Sequence, residues 1–141
     1  MIKTNKGSLN IMATVIFYEK PGCAGNARQK RLLTDAGHEV EPRNLLTEPW
    51  TALSLRPFFG DRPVADWFNK AAPSVKSGEV DPTSFDEDAA LKALIATPLL
   101  IRRPLMQVGE RRETGFEPAL VEAWIGLAEP VEGSIEGCPR Q

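Results

Sequence analysis

The order of apolar and polar positions predicts a compact α/β unit in the first third of the chain. Residues 14–18 form a β-branched and aromatic run typical of a buried strand. Residues 23–36 carry apolar positions at helical spacing and end at Gly37, and residues 40–46 form a second, weaker strand. The right-handed crossover of such a strand-helix-strand unit predicts that the two strands are parallel.

The middle third has helical patterning. Thr47 or Thr51 is the predicted N-cap of a helix that ends at Gly60, and residues 62–70 present a short apolar helical face. Residues 71–82 are rich in proline and glycine and are predicted to form a loop.

The last third predicts one more helix, a hairpin and a closing helix. Ser84 with Glu87 has the spacing of a capping box. Residues 105–108 and 111–114 flank a Gly-Glu turn, and residues 117–127 carry a helical apolar stripe. The predicted fold class is therefore α/β, with a mixed four-stranded sheet and a helical insertion, and it resembles the thioredoxin-like arrangement.

The predicted domain organisation is one folded unit between two less structured ends. Residues 1–12 are polar, basic and aperiodic, and are expected to be a disordered leader. Met12 directly precedes the first strand, so it is a candidate for the natural start. Residues 13–128 form the expected domain, and residues 129–141 form a loose tail rich in proline and glycine.

Composition excludes several classes of function. The 141 residues have a formal charge of −2, with no basic excess for nucleic-acid binding. The longest apolar stretch is too short to cross a membrane. No apolar signal-peptide core follows Lys3 and Lys6, so a secretory signal is not expected. Two cysteines are too few for the disulfide framework of a small secreted protein, so the expected location is the cytoplasm.

Cys23 is the main candidate for chemistry. It lies between Gly22 and Gly25 where the first strand leads into the first helix. The N–H groups of a helix N-terminus and the helix dipole stabilise a thiolate, and the N–H groups of Ala24, Gly25 and Asn26 offer a seat for an anion. Cys23 could equally be a small buried apolar residue. No cysteine lies two residues further on, so an internal dithiol at this turn is excluded.

Arg103 and Pro104 precede the predicted third strand. A proline at this point of a thioredoxin-like fold typically follows a cis peptide bond and faces the cysteine, so Pro104 is a candidate structural residue of the site. The alternative is an ordinary proline at the start of a strand. The planar guanidinium of Arg103 suits an oxyanion bound over Cys23, although a solvated surface charge is the alternative. Arg111 is a further anion-binding candidate, with edge-strand charge as the competing interpretation.

The other notable residues favour structural interpretations. His38 has no second ligand in view, so no metal site is predicted. The three tryptophans are expected in the core. Cys138 in the tail is either a distant resolving thiol or an incidental cysteine.

Taken together, these motifs resemble the glutaredoxin-dependent arsenate reductase family, which includes the Spx-type regulators. The resemblance rests on residues 15–18 followed by 20–23, and on residues 99–104 before the third strand. Residues 67–70 and 109–116 are most similar to the branch called nitrogenase-associated proteins.

This resemblance implies a monothiol oxidoreductase in which Cys23 is the nucleophile and Arg103 holds a small oxyanion. It implies no bound cofactor, with glutathione as co-substrate and glutaredoxin as partner. The two other arginines of the family correspond to Asn69 and Gly115 here. The alternative is a non-catalytic binding protein for a nitrogenase-related or transcription partner.

Overall fold

A computed structural model describes residues 12–128, and its first elements form the predicted βαβ unit. Strand β1 (Thr14–Glu19) leads through helix α1 (Ala24–Asp35) into strand β2 (Glu39–Asn44). The two strands are parallel and in register from Thr14 opposite Glu39 to Glu19 opposite Asn44. The helix ends where Gly37 takes a φ of +94°, a conformation that favours glycine.

The middle segment is more broken than its patterning predicts. Helix α2 (Ala52–Leu55) is capped by Thr51, one of the two predicted caps, and continues only as a 3₁₀ turn at Arg56–Phe58. A proline at the second position of that turn accounts for the early end of the α-helix, since proline donates no N–H. The expected helix over residues 62–70 is reduced to a 3₁₀ turn at Val64–Trp67.

The predicted loop over residues 71–82 contains a short helix, α3 (Pro73–Lys76). Helix α4 (Glu87–Ala96) follows, but the predicted capping box is wrong. Asp86 is the N-cap, and its carboxylate accepts a hydrogen bond from the Ala89 N–H at 2.8 Å. Ser84 instead donates its hydroxyl to the Asp81 carbonyl, because it ends a separate 3₁₀ turn.

The hairpin forms as predicted. Strands β3 (Leu105–Val108) and β4 (Arg111–Thr114) pair in antiparallel fashion around a turn in which Gly109 has a φ of +60°. Strand β3 also pairs antiparallel with β1, giving the order β2-β1-β3-β4. The mixed four-stranded sheet of the predicted fold class is therefore confirmed.

The two faces of the sheet pack against different layers. Along β1, Val15 and Phe17 face the side covered by α1 and by helix α5 (Pro118–Trp124). Ile16 and Tyr18 face the helical insertion. The alternation of strand side chains thus places the sheet between two apolar cores.

The predicted leader and tail lie outside the described residues, except Met12, which is exposed. Among the described residues, no helix has both the length and the apolar character needed to cross a membrane.

Candidate active site

A tight turn places Cys23 at the start of α1. The Cys23 N–H donates to the Lys20 carbonyl at 3.1 Å, and Gly22 at the third position of the turn has a φ of +83°. Proline at the second position and a left-handed glycine at the third are typical of a type II turn. Cys23 is the N-cap residue of α1 and is 5% exposed. Its burial agrees with both sequence interpretations, and its capping position favours the functional one.

The sulfur of Cys23 is the acceptor that caps the helix. The Asn26 N–H donates to the Cys23 Sγ at 3.4 Å, so this N–H points at the sulfur atom. Ala24 and Gly25 supply the two preceding N–H groups of the first helical turn. Cys23 is disulfide-bonded in the structure, so the structure represents an oxidised state of this site. Cys138 lies outside the described residues.

The side chain of Asn26 also forms hydrogen bonds at the cysteine turn. This role of the side chain was not predicted from the sequence. Its Oδ1 accepts from the Lys20 N–H at 3.1 Å, and its Nδ2 donates to the Gln29 Oε1 at 2.9 Å. Asn26 and Gln29 are both fully buried. Two polar residues three apart on the buried face of an otherwise apolar helix stripe were the available signal.

The backbone around Arg103 is held from two sides. The Arg102 N–H donates to the Trp67 carbonyl at 2.9 Å, and the Thr114 hydroxyl donates to the Arg102 carbonyl at 2.7 Å. The Gly115 N–H donates to the Pro104 carbonyl at 2.8 Å. The Arg103–Pro104 peptide bond is cis, as predicted.

The guanidinium of Arg103 is buried, and the described part of the chain gives it no counterion. Arg103 is 2% exposed, and its Nε, Nη1 and Nη2 atoms have no hydrogen-bond partner within residues 12–128. Burial lowers the pKa of the side chain. A buried cation without a partner among residues 12–128 is energetically costly.

Strand register relates Arg103 to the cysteine turn. Tyr18 near the end of β1 pairs with Leu105 at the start of β3. Because the strands are antiparallel, the chain that leaves β1 toward Cys23 and the chain that enters β3 from Arg103 lie at the same end of the sheet. The structure therefore brings Cys23 and Arg103 to the same end of the sheet.

Asn69 is the other buried side chain in this part of the molecule with an unpartnered donor. Its Oδ1 accepts from the Ala71 N–H at 3.0 Å, while its Nδ2 has no partner among the described residues. Its backbone N–H donates to the Leu100 carbonyl at 2.7 Å, which ties this segment to the one before Arg103.

Arg102 is engaged in an ion-pair cluster. Its Nη2 lies 3.0 Å from the Glu117 Oε2, and Arg62 Nη1 contacts the same oxygen at 3.0 Å. Arg62 also lies 3.6 Å from Glu113. Gly115 has a φ of +81°, a conformation that favours glycine. A Cβ at this position would lie 2.5 Å from the Arg102 Nε, so the glycine leaves room for the Arg102 guanidinium to pass over the backbone.

Arg111 is placed away from the cysteine. It pairs with Val108 at the turn end of the hairpin, whereas Arg103 precedes the opposite end of β3. Its Nε contacts Glu113 at 3.1 Å, and its guanidinium stacks 4.8 Å from the centroid of the Trp124 ring. The structure thus does not bring Arg111 together with Cys23 and Arg103.

The structural interpretations of the remaining residues fit their surroundings. Trp50 and Trp67 are buried, while Trp124 is partly buried against the core beneath α5. His38 is buried, with the Ala13 N–H donating to its Nδ1 at 3.1 Å and its Nε2 lying 2.9 Å from the Gly126 carbonyl. The described part of the chain contains no cluster of potential metal ligands.

A cysteine that caps the first helix, together with a cis Arg–Pro bond before the third strand of a mixed four-stranded sheet, defines a protein of thioredoxin-like fold. Residues 12–124 match the ArsC family, and the chain belongs to that family.

The chain is also similar to one curated protein in sequence and to several solved structures in fold. The chain is 55% identical over 130 residues to an "uncharacterized 15.7 kDa protein in draG 3′region" of Rhodospirillum rubrum, covering 92% of this chain and 91% of the relative. An arsenate reductase from Vibrio cholerae superposes with a TM-score of 0.65 at 20% identity, covering 80% and 98% of the two chains. An arsenate reductase (ArsC) related protein from Brucella melitensis gives 0.60 at 22% identity, covering 85% and 98%. These structures confirm the fold.

Proposed function

We propose that the protein is a thiol oxidoreductase in which Cys23 acts with glutathione or glutaredoxin on a small oxyanion or a mixed disulfide. The observation that carries this proposal is the buried guanidinium of Arg103, which has no partner among the described residues and lies at the same end of the sheet as Cys23 at the start of α1. A cation in that position stabilises an anion bound next to the sulfur.

The chemistry starts from reduced Cys23. In disulfide exchange, the Cys23 thiolate attacks one sulfur of a mixed disulfide, forms a new S–S bond and releases the other thiolate. A second thiolate, from glutathione or glutaredoxin, then attacks the new disulfide and restores Cys23. With an oxyanion, two thiols together give up two electrons and two protons. The products are one disulfide, water and the anion with one oxygen fewer.

The first test measures the reactivity of Cys23 in reduced protein carrying Cys138→Ser. We expect iodoacetamide to alkylate Cys23 with a thiol pKa below the ordinary value of about 8.5, because the Asn26 N–H and the helix N-terminus stabilise the thiolate. An ordinary or raised thiol pKa would contradict the proposal.

The same assay tests the anion site. Arsenate is expected to slow the alkylation of the Cys138→Ser parent protein, and the additional substitution Arg103→Gln is expected to abolish that protection. Arg111→Gln is the matched charge control, because Arg111 lies at the other end of the hairpin. Equal loss of protection in both variants would count against Arg103 as the anion ligand. A glutathione-coupled arsenate assay then measures turnover.

A non-catalytic binding protein is the second candidate function. It is favoured by the ion pairs that engage Arg62, Arg102 and Arg111, which leave Arg103 as the buried cation without a carboxylate among the described residues. The partner would be a nitrogenase-related or transcription protein, as the sequence resemblance implies. Binding that is unchanged in Cys23→Ser, together with no turnover, would favour this candidate.

A further inference from the structure

We infer that Asn26 and Gln29 are positioning residues that set the reactivity of Cys23. This inference rests on the proposed function of the thiol. It assigns a role to two side chains on the buried face of α1 that contact the cysteine turn, directly or through each other.

Asn26 contacts both sides of the cysteine turn. Its main-chain N–H donates to the Cys23 Sγ at 3.4 Å, while its side-chain Oδ1 accepts from the Lys20 N–H at 3.1 Å. The carbonyl of the same Lys20 accepts from the Cys23 N–H at 3.1 Å. The peptide groups on both sides of Lys20 are therefore held, one by Asn26 and one by Cys23, and the sulfur is held against the helix N-terminus.

Gln29 determines which way the Asn26 amide faces. Its Oε1 accepts from the Asn26 Nδ2 at 2.9 Å, so the Asn26 Oδ1 is left to face Lys20. Both side chains are fully buried. A buried amide pair must be satisfied to be tolerated, and a satisfied network holds one geometry. Apolar residues would fill the same buried face at lower desolvation cost.

The consequence concerns the thiolate of the reduced protein. The distance and angle of the Asn26 N–H to the sulfur decide how strongly that donor stabilises the negative charge. Loss of the side-chain contact to Lys20 frees the turn, so the sulfur is no longer held against the donor. The N–H itself remains, so the effect is a partial loss of thiolate stabilisation.

The test compares the pH profile of Cys23 alkylation in reduced variants, all carrying Cys138→Ser. Asn26→Ala is expected to raise the thiol pKa and to slow alkylation at pH 7 by about threefold or more, since a weakened hydrogen bond to a charged group changes an equilibrium by that order. Gln29→Met keeps the side-chain volume but removes the acceptor. It is expected to shift the profile in the same direction by a smaller factor.

Asp86→Ala is the matched control, because it removes a side-chain cap from α4 without touching the cysteine turn. It is expected to lower stability and to leave the alkylation profile unchanged. If Asn26→Ala and Gln29→Met keep the wild-type profile, or if Asp86→Ala shifts it equally, the inference is wrong. If Asn26→Ala does not fold, Gln29→Met decides alone. An ordinary thiol pKa in the parent protein would instead contradict the proposed function.

Discussion

At the scale of single residues, burial separates arginines that look alike in the sequence. Arg102 and Arg103 are neighbours, yet Arg102 reaches Glu117 while Arg103 is buried without a partner among the described residues. Alternation along an extended segment sends adjacent side chains to opposite sides. The sequence therefore identified the basic pair, and the surrounding chain decided which member is available to a ligand.

Because Arg103 is buried and has no partner within residues 12–128, we expect its charge to favour anion binding at the expense of stability. Replacing it with methionine, Arg103→Met, removes a buried charge and keeps much of the apolar volume. The free energy of unfolding in buffer without multivalent anions is expected to rise by about 1 kcal/mol or more. Urea denaturation checks this, with Arg56→Met as the control for an arginine that pairs with Glu87. A less stable Arg103→Met protein would show that Arg103 stabilises the unliganded fold.

At the scale of elements, ion pairs join the start of α5 to distant parts of the chain. Burial alone would raise the pKa of Glu117, but the charge and hydrogen bond of Arg62, followed by those of Arg102, outweigh it and lower that pKa. Glu117, just before α5, thereby links Arg62 of the helical insertion and Arg102 before β3 to α5. That helix packs on the opposite face of the sheet from the insertion.

The lowered pKa of Glu117 predicts a specific pH dependence. A carboxylate whose pKa is lower in the folded than in the unfolded state stabilises the fold above its unfolded pKa, and this stability is lost as pH falls through the folded pKa. Because the Glu117 side chain is 43% exposed and solvent screens its ion pairs, Glu117→Gln is expected to cost no more than about 1 kcal/mol at pH 7 and to reduce the fall in stability below about pH 4.5. Chemical denaturation from pH 3 to 7 measures both effects. A variant with the wild-type slope would contradict this role.

At the scale of the whole molecule, His38 connects segments that are far apart in sequence. Its two ring nitrogens reach Ala13 at the start of β1 and Gly126 after α5. Since the Ala13 N–H donates to Nδ1, the proton of the neutral ring lies on Nε2 and is donated to Gly126. The chain's only histidine thus closes one end of the fold.

Removal of these two bonds predicts a global loss of stability. His38→Phe keeps a ring but leaves the Ala13 N–H and the Gly126 carbonyl without that partner, and is expected to cost about 2–4 kcal/mol. Thermal or urea unfolding measures the change. Asn44→Ala is the control, because it removes an exposed hydrogen bond within one turn and is expected to change stability by less than about 1 kcal/mol. Equal effects of the two substitutions would exclude a bridging role for His38.

The elements that sequence predicts well are those with local causes. The β-branched run of β1, the glycine that ends α1 and the Gly-Glu turn of the hairpin each act within a few residues. The insertion was predicted less well, because its short helices depend on packing against Tyr18 and its neighbours rather than on their own periodicity. Ser84 failed as a cap because Asp86, two residues later, satisfies the helix instead.

By itself, the sequence determined the βαβ unit, the hairpin, the mixed sheet and the two positions at which chemistry was expected, Cys23 and Arg103. Only the tertiary structure decided that Arg103 is buried without a partner among the described residues, that Arg111 lies at the turn end of its hairpin, and that Asn26 and Gln29 form a buried hydrogen-bonded pair beside the cysteine turn. The reason is physical. Turns and strands follow from local conformational preferences, whereas the burial and pairing of a charge depend on which distant segments surround it.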